Sequence, residues 1–208
     1  MPSLKRKKII IIGASEHGKI ALNILRYQKN LEFAGFLDDN KMADKEVIGK
    51  VFDWPKYAKY FFHLAIGDNS IREKFFKILN KGNCRFINLI HPKAFIEKDV
   101  VLGESVFAGA NAYINIGSRI GSGTIINNGC NVDHHNIIGD FCHLAPGVIT
   151  GGGVKIAAGV FVGLNSAIRD HIEIGENSFI GMGSVITKNI EKNLLVYNRL
   201  EMKIKKLS

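Results

Sequence analysis

The residues best suited to chemistry lie together in the second half of the chain, in the segment NVDHHNIIGDFCHLAPG. Asp133, His134 and His135 are consecutive there, and His143 follows in the same segment. A neutral imidazole can take a proton from an attacking amine or hydroxyl near pH 7. An adjacent carboxylate can orient that imidazole and stabilise its protonated form. The segment therefore predicts a general base.

Two other interpretations of this segment remain open. Histidine and aspartate are also metal ligands, so a metal site is conceivable. Neighbouring residues of an extended backbone point to opposite faces, so His134 and His135 would not share an ion, and we expect no metal here. The other interpretation is that these histidines are solvated turn residues without a chemical role.

A second candidate site lies in the segment IIIIGASEHGKI, residues 9–20. Its spacing meets the P-loop signature except at Ile20, where a hydroxyl would have to contact Mg²⁺. It also misses the Rossmann fingerprint, because Ser15 stands where a glycine is needed. The segment still predicts a strand, a tight turn and a helix N-terminus, and such a terminus can bind an anion.

A six-residue repeat must position the histidine segment. Cut into sixes from residue 89, the chain gives seventeen hexads to residue 190, and the second position is Ile, Leu or Val in 15 of them. Ala108 and Thr150 are the exceptions, and no residue is inserted or deleted. This period is typical of a β-solenoid in which three hexads make one coil, so the region should form between five and six coils.

The first half alternates strand and helix patterns and so predicts a parallel sheet with ligands at the carboxyl ends of its strands. Strands are expected at 8–12, 33–38, 63–67 and 86–90, and helices at 18–29 and 71–80. Three loops, at 13–18, 38–40 and 67–69, should converge on one edge of the sheet. About 80 residues are roughly half of a dinucleotide-binding fold, which favours a mononucleotide.

Composition narrows the class of protein further. The 208 residues carry a net charge of +9. The basic residues are scattered and no RNA-binding or zinc-finger pattern appears, so we expect no nucleic-acid partner. No apolar run approaches the ~20 residues that span a bilayer. The three cysteines form no C-x-x-C, which fits a reducing cytoplasm.

The chain resembles the bacterial nucleotide-sugar N-acetyltransferases of the hexapeptide-repeat superfamily, which are relatives of sialic acid O-acetyltransferases. The GASEHG turn, FLDD, AIGDN and the D-H-H motif within a hexapeptide helix carry the resemblance. It implies an α/β Rossmann-like N-terminal domain at 1–88, an all-β left-handed parallel β-helix at 89–190, and a capping tail at 191–208. It also implies a homotrimer whose active sites lie between subunits.

The resemblance implies an activity as well. The first domain would hold a UDP- or GDP-linked amino-deoxysugar, as in bacillosamine and perosamine biosynthesis, and the β-helix would hold acetyl-CoA. Transfer would be direct, without a covalent intermediate, because Cys130 and Cys142 occupy small-residue positions of their hexads and are expected to pack. The product would enter bacterial glycan or surface polysaccharide biosynthesis. No metal is implied.

Individual roles follow from the same resemblance. His134 stands where the family has its base, Asn127 where an asparagine positions the acceptor amine, and Gly152 where a backbone N–H polarises the thioester carbonyl. His17 matches a histidine that reaches from the first domain toward the sugar. The implied acetyl-CoA contacts are His143, Gly152, Leu164 and Gly181. The implied substrate contacts are Gly13, Ser15, His17, Gly18, Asp38, Asp39 and Asn69.

The chain departs from the family pattern at two places. The family usually has Asp or Glu after the base, but His135 stands there. Either Asp133 orients His134 or the two neighbours share that role. The usual G-x-P-A-K tail is also absent, and residues 196–200 (VYNRL) stand in its place.

Three rival functions remain. An O-acetyltransferase for a sialic acid-type sugar would use the same fold and base. A non-catalytic trimer that binds sugar nucleotides would tolerate loss of His134. A P-loop ATPase is disfavoured by Ile20.

Overall fold

The computed structural model describes residues 6–40 and 44–198 of the chain. The first part is an α/β unit with a five-stranded sheet in the order β3-β2-β1-β4-β5, in which every pair is parallel, as predicted. Its elements are β1 (Lys7–Ile12), α1 (Glu16–Tyr27), β2 (Leu31–Leu37), β3 (Val47–Gly49), a 3-10 helix (Val51–Tyr57), β4 (Phe61–Leu64), α2 (Asn69–Lys81) and β5 (Arg85–Phe86).

Strand β1 forms the centre of this sheet because its four consecutive isoleucines are fully buried. Ile9 and Ile11 face α1 and the second part of the molecule, whereas Ile10 and Ile12 face α2 and the 3-10 helix. A parallel strand covered on both faces reads as a continuous apolar run and not as an alternation. That is the reason why IIII fits the middle of this sheet.

The second part is a three-sided parallel β-helix of short strands. Sheet I contains β6 (Leu89–Ile90), β9 (Phe107–Ala108), β12 (Ile125–Ile126), β15 (His143–Leu144), β18 (Phe161–Val162), β21 (Phe179–Ile180) and β23 (Leu195–Val196). Sheet II contains β7 (Phe95–Ile96), β10 (Tyr113–Ile114), β13 (Asn131–Val132), β16 (Ile149–Thr150), β19 (Ala167–Ile168) and β22 (Val185–Ile186). Sheet III contains β8 (Val101–Leu102), β11 (Arg119–Ile120), β14 (Ile137–Ile138), β17 (Lys155–Ile156) and β20 (Glu173–Ile174).

The hexad register holds through most of the helix. Tyr113 pairs with Asn131 and Asn131 with Ile149, so each residue pairs with the one 18 positions further along the chain. The second residue of each hexad points inward and builds a continuous apolar core. The prediction that the register continues unbroken to 190 is wrong, because Ile190 pairs with Ile174 and Leu195 with Phe179, only 16 positions away.

The predicted strand at 86–90 divides into two. Phe86 ends β5 in the α/β sheet, and Leu89 begins β6 in sheet I of the β-helix. The chain therefore passes from one part to the other within this run. Residues 191–198 of the predicted capping tail add β23 to sheet I, and residues 199–208 lie outside the described residues.

A buried arginine ties the two parts together. Arg72 of α2 is fully buried and donates to the carbonyls of Gly123, Phe141 and Cys142 in the β-helix. It also donates to the carbonyl of Ile66 and the side chain of Asn69. Burial lowers its pKa to about 10, so the guanidinium stays charged at pH 7. Hydrogen bonds from a charged group contribute about 1.5–3 kcal/mol each to the free energy of unfolding, so Arg72 strongly stabilises the contact between the two parts.

Candidate active site

The turn between sheets II and III carries the predicted base. It follows β13 and contains Asp133, His134 and His135. The hydroxyl of Thr150 accepts the Asp133 N–H at 3.2 Å, and the amide of Asn136 donates to the Asp133 carbonyl. Thr150 breaks the aliphatic pattern of the hexads, and the structure shows that its hydroxyl anchors this turn. His134 and His135 are both exposed.

The imidazole of His134 lies directly over Gly152 on the next coil. A Cβ at residue 152 would stand 2.5 Å from His134 Nε2, so the ring needs glycine there. The Gly152 N–H donates no hydrogen bond within the described residues. A base and an unused N–H donor therefore meet in one place, which is the arrangement that acyl transfer requires.

Replacing Gly152 with alanine is expected to lower kcat about 10- to 100-fold, because the new methyl must push the His134 ring away while the N–H remains. The free energy of unfolding should change by less than about 1 kcal/mol, since the displaced ring is exposed. Steady-state kinetics and urea unfolding measure the two effects. In a His134→Ala background the same change should cost almost nothing, and an equal loss in both backgrounds would refute the steric explanation.

Asp133 does not orient the His134 ring. Its Oδ1 accepts the His134 backbone N–H at 2.7 Å and the Asn115 amide at 2.8 Å. These two hydrogen bonds, in that order, hold the pKa of the Asp133 carboxyl below its usual value. Within the described residues its carboxylate makes no hydrogen bond to the imidazole, so it shapes the turn instead.

His135 contacts the His134 ring instead. The two Nδ1 atoms are 3.1 Å apart and the rings meet edge to face at 78°. The expectation that these neighbours point apart is wrong, because His135 has a positive φ of 55° and the segment is a turn, not extended backbone. The sequence signal was available, since glycines occupy the same hexad position in the adjacent coils, at 117 and 153.

The predicted substrate loops meet at the carboxyl edge of the α/β sheet. Asp38 Oδ2 accepts the Ala14 N–H at 2.7 Å, and Asp39 Oδ1 accepts the Val51 N–H at 3.0 Å. Gly13 has a φ of +98° and packs against the Ala65 carbonyl, so glycine is needed on steric and conformational grounds. Asp38 thus braces the loop before α1, and Asp39 braces the start of the 3-10 helix.

Ser15 and Gly18 lie in the first of these loops, at the start of α1. Ser15 is the N-cap residue of α1, but its side chain makes no capping hydrogen bond. Gly18 packs against the Gly13 carbonyl, where a Cβ would not fit. The loop therefore brings the helix N-terminus close to the sheet edge and leaves the serine hydroxyl available to a ligand.

Asn69 has a different environment from the one that the resemblance implies. Its Nδ2 donates to the Gly159 carbonyl of the β-helix at 3.0 Å, and its Oδ1 accepts from Arg72 at 2.7 Å. Both ends of the amide are therefore used at the junction between the two parts.

Three histidines form a cluster at this junction, which we call the buried histidine cluster: His17, His63 and His143. His17 and His63 both pack on Phe107, with ring centroids 4.8 and 6.5 Å away. His63 Nδ1–H donates to the Ile87 carbonyl, 3.0 Å away. Each ring keeps one buried nitrogen without a partner in the described residues.

Burial is the main reason why these imidazoles stay neutral. It lowers the pKa of His17 to about 3, with further contributions from His63, His143 and Arg72. Burial, with a smaller effect of Arg72, lowers the pKa of His63 and of His143 to about 4. Neither His63 nor the cluster itself was predicted from the sequence.

The turn between sheets I and II carries other predicted residues. Asn127 Nδ2 lies 3.3 Å from Nε2 of His143, so the amide reaches the buried histidine cluster. Leu164 is half-exposed on the same edge, and Gly181 packs against Tyr197. His143 is a strand residue of sheet I whose ring also contacts Phe161.

One cavity was not foreseen. It has a volume of about 550 Å³ and lies between the start of α2 and sheet I. The rings of Phe161 and Phe179 stack along its wall with centroids 4.6 Å apart. The sequence did contain a signal for this wall, since Phe161 and Phe179 are 18 positions apart and so lie on adjacent coils.

The predicted site residues fall into two groups within one chain. His17, Asn127 and His143 meet at the junction, whereas His134, His135 and Gly152 lie across sheet II on another edge. No hydrogen bond or ring contact among the described residues joins the two groups. Within residues 6–40 and 44–198 there is also no trio of His, Cys, Asp or Glu arranged to hold a metal ion.

None of the helices in the described ranges is long and apolar enough to cross a membrane. The three cysteines, Cys84, Cys130 and Cys142, are buried and unpaired. Burial raises the pKa of the Cys130 thiol to about 11 and that of Cys142 to about 12, so neither is a ready nucleophile.

Comparison with known proteins gives matches to both parts. Residues 8–79 match the PglD N-terminal domain family, and residues 153–188 match the bacterial transferase hexapeptide family (six repeats). The UDP-N-acetylbacillosamine N-acetyltransferase of Bacillus subtilis (strain 168) is 33% identical over 107 residues, which are 47% of this chain and 49% of that protein. The chain thus aligns with less than half the length of the curated relatives it matches.

Solved structures match nearly the whole chain. PerB from Caulobacter crescentus, in complex with CoA and GDP-perosamine, has a TM-score of 0.87 and 30% identity, and the match covers 92% of this chain and 94% of that one. The acetyltransferase domain of PglB from Neisseria gonorrhoeae, in complex with acetyl coenzyme A, has a TM-score of 0.84 and 26% identity, covering 91% and 96%. The predicted fold class, an α/β domain followed by a left-handed β-helix, is confirmed.

Proposed function

Since the chain belongs to the acetyl-CoA-dependent nucleotide-sugar N-acetyltransferases of the left-handed β-helix family, we propose that it acetylates the amino group of a nucleotide-linked amino-deoxysugar. The observation that carries this proposal is the contact between the His134 imidazole and Gly152, whose N–H is unused. A proton acceptor and an oxyanion donor are the two groups that aminolysis of a thioester needs.

The proposed reaction is a direct transfer within one ternary complex. The amine nitrogen attacks the acetyl carbonyl carbon and forms the C–N bond while His134 Nε2 takes one proton from the nitrogen. The Gly152 N–H donates to the carbonyl oxygen as its negative charge develops. When the oxyanion collapses, the C–S bond breaks and the proton on His134 passes to the leaving thiolate. The products are the amide and CoA with a free thiol.

The nucleotide sugar would lie at the carboxyl edge of the α/β sheet. The first turn of α1 offers free N–H groups and the positive end of the helix dipole to the diphosphate. Asp38 and Asp39 hold the surrounding loops in shape. His17 lies at the junction, where its ring packs on Phe107 of the β-helix. This position supports the proposal that His17 reaches from the first domain toward the sugar. The relatives include a UDP-N-acetylbacillosamine N-acetyltransferase and a protein in complex with GDP-perosamine, so UDP- and GDP-linked sugars are both candidates.

A homotrimer with active sites between subunits would unite the two groups of residues. In one chain His134 lies on a different edge of the β-helix from Asn127 and His143, without contact between them. A neighbouring subunit could place its Asn127 edge opposite His134. We therefore assign acetyl-CoA to the cleft between subunits, against Gly152 of one chain and Leu164 and Gly181 of its neighbour.

We also propose a division of labour along the chain. Residues 1–88 bind the nucleotide sugar, residues 89–190 carry out the transfer in the cytoplasm, and residues 191–208 close the end of the helix. The pairing of β23 with β21 supports the last assignment for the described part of the tail.

A panel assay tests the proposal. The protein is mixed with acetyl-CoA and UDP-, GDP- or dTDP-linked amino sugars, and DTNB follows the release of free thiol. The matched controls are the same nucleotide sugars with a hydroxyl in place of the amine. Release with one amino sugar alone would support N-acetylation and identify the nucleotide. Release only with hydroxyl sugars would favour the O-acetyltransferase, and no release despite bound acetyl-CoA would contradict both.

A further inference from the structure

The two exposed histidines meet through a hydrogen bond whose direction depends on their tautomers. Their Nδ1 atoms are 3.1 Å apart, so one of them must carry a hydrogen and the other must accept it. If His134 is to receive a proton at Nε2, that nitrogen must be bare and its Nδ1 must carry the hydrogen. His135 must then be the neutral tautomer that carries its hydrogen on Nε2.

The fold holds His135 in place for this contact. Its backbone N–H donates to the Ile116 carbonyl at 2.9 Å. Its ring covers Gly117 on the preceding coil, where a Cβ would lie 2.7 Å from Cδ2. His134 rests on the following coil, over Gly152. The two rings are thus supported from opposite sides and meet edge to face in the turn.

Within the described residues, no side chain other than His135 makes a hydrogen bond to the His134 ring. The Asp133 carboxylate is used by a backbone N–H and by Asn115. On the neighbouring coils, Asp99 accepts the Gly117 N–H, and the His171 ring covers Gly153 beside Asp170. Tyr113 also lies on the preceding coil, where its hydroxyl contacts Glu97 and Asn115.

We propose that His135 is the positioning residue for His134, and that its neutral Nδ1 accepts the His134 Nδ1–H and so keeps His134 Nε2 free for the substrate. This inference rests on the proposed function. When His134 gains the substrate proton, the contact becomes a charge-assisted N⁺–H···N bond. The pair then carries one positive charge, whereas a histidine–carboxylate pair would be neutral in that state.

Two substitutions and one control test the inference. His135→Gly removes the ring and suits the positive φ, since glycine occupies this position in the adjacent coils. His135→Asp restores a charged acceptor. His171→Gly is the matched control, because His171 has a φ of 56° and likewise covers a glycine.

We expect His135→Gly to lower kcat about 10- to 100-fold with little change in KM for either substrate, and His171→Gly to leave both unchanged. His135→Asp should keep kcat within a few-fold and move the acid limb of the kcat/KM profile to higher pH, because an anionic acceptor favours a protonated His134. A kcat of His135→Gly within two-fold of wild type, or an unmoved pH profile in His135→Asp, would overturn the inference.

A measurement without substrate separates this inference from the proposed function. Long-range ¹H–¹⁵N NMR of the labelled protein should show His134 protonated at Nδ1 and His135 at Nε2, and His135→Gly should return His134 to a solution-like mixture of tautomers. If the wild type acetylates none of the sugars but shows these tautomers, the proposed function fails and the positioning role stands. The opposite tautomers would refute the positioning role whatever the activity.

Discussion

Replacing His134 with asparagine is expected to lower kcat for acetyl transfer about 10²- to 10⁴-fold, because asparagine cannot accept the proton of the attacking amine. The side chain is exposed at a turn, so the free energy of unfolding should stay within about 0.5 kcal/mol of wild type. KM for acetyl-CoA should change little, since the ring acts on the reacting atoms and not on the coenzyme. Thiol release and urea unfolding measure the two quantities.

His171→Asn is the control for this experiment, since His171 is an exposed histidine on the same edge of the β-helix. It should retain wild-type kcat. If His134→Asn also retained more than about one fifth of the activity, His134 would not be the base. The proposal of a non-catalytic sugar-nucleotide-binding trimer would then gain weight.

The second large effect is expected on stability in mild acid. The buried histidine cluster has folded-state pKa values of about 3 for His17 and about 4 for His63 and His143. Unfolded histidine has a pKa near 6.5, so between these values the unfolded chain binds more protons than the folded one. The stabilising contribution is therefore complete above pH 6.5 and is lost as the pH falls toward 4.

Three protons taken up on unfolding correspond to a slope of at most about 4 kcal/mol per pH unit in that window. Urea unfolding at pH 7.5, 6.0, 5.5 and 5.0 measures it. His63→Gln, which keeps a donor for the Ile87 carbonyl, should reduce the slope by about 1.4 kcal/mol per pH unit. If the free energy of unfolding is constant from pH 7.5 to 5.0, folding does not lower the pKa values of the three histidines.

Periodicity made most of the fold predictable. An aliphatic residue at the second position of nearly every hexad predicted the β-helix and its apolar core. The four consecutive isoleucines predicted a buried strand, which is β1. The run 86–90 did not reveal that it serves two sheets, because a short apolar segment carries no information about its partners. The shortened last coil was hidden for a similar reason, since Ile190 is the sixth residue of its hexad, where Ile172 and several valines also stand.

The site was predictable where it depends on local order and not where it depends on packing. The D-H-H turn and Gly152 follow from the repeat and the resemblance. The contact between His134 and His135 depends on one positive φ, for which the glycines at the same hexad position, 117 and 153, were the available signal, but the contact of the two rings itself depends on packing. Arg72 joins segments about 50 to 70 residues apart. The buried histidine cluster joins positions 17, 63 and 143, which are 46 to 126 residues apart, and no local pattern signals such contacts.

The constant step of 18 residues also governs how this chain can change in length. His134 lies over Gly152 because one coil separates them, and adjacent coils are one strand spacing apart, about 4.8 Å. Between residues 95 and 186, an insertion that is not a whole coil would turn inward residues outward unless it bulges from a corner. Alignment gaps against distant relatives should therefore fall at corners or span multiples of eighteen. Positions along the helix axis change only in steps of one coil. Evolution can therefore add or remove whole coils without changing which residues point inward in the remaining ones.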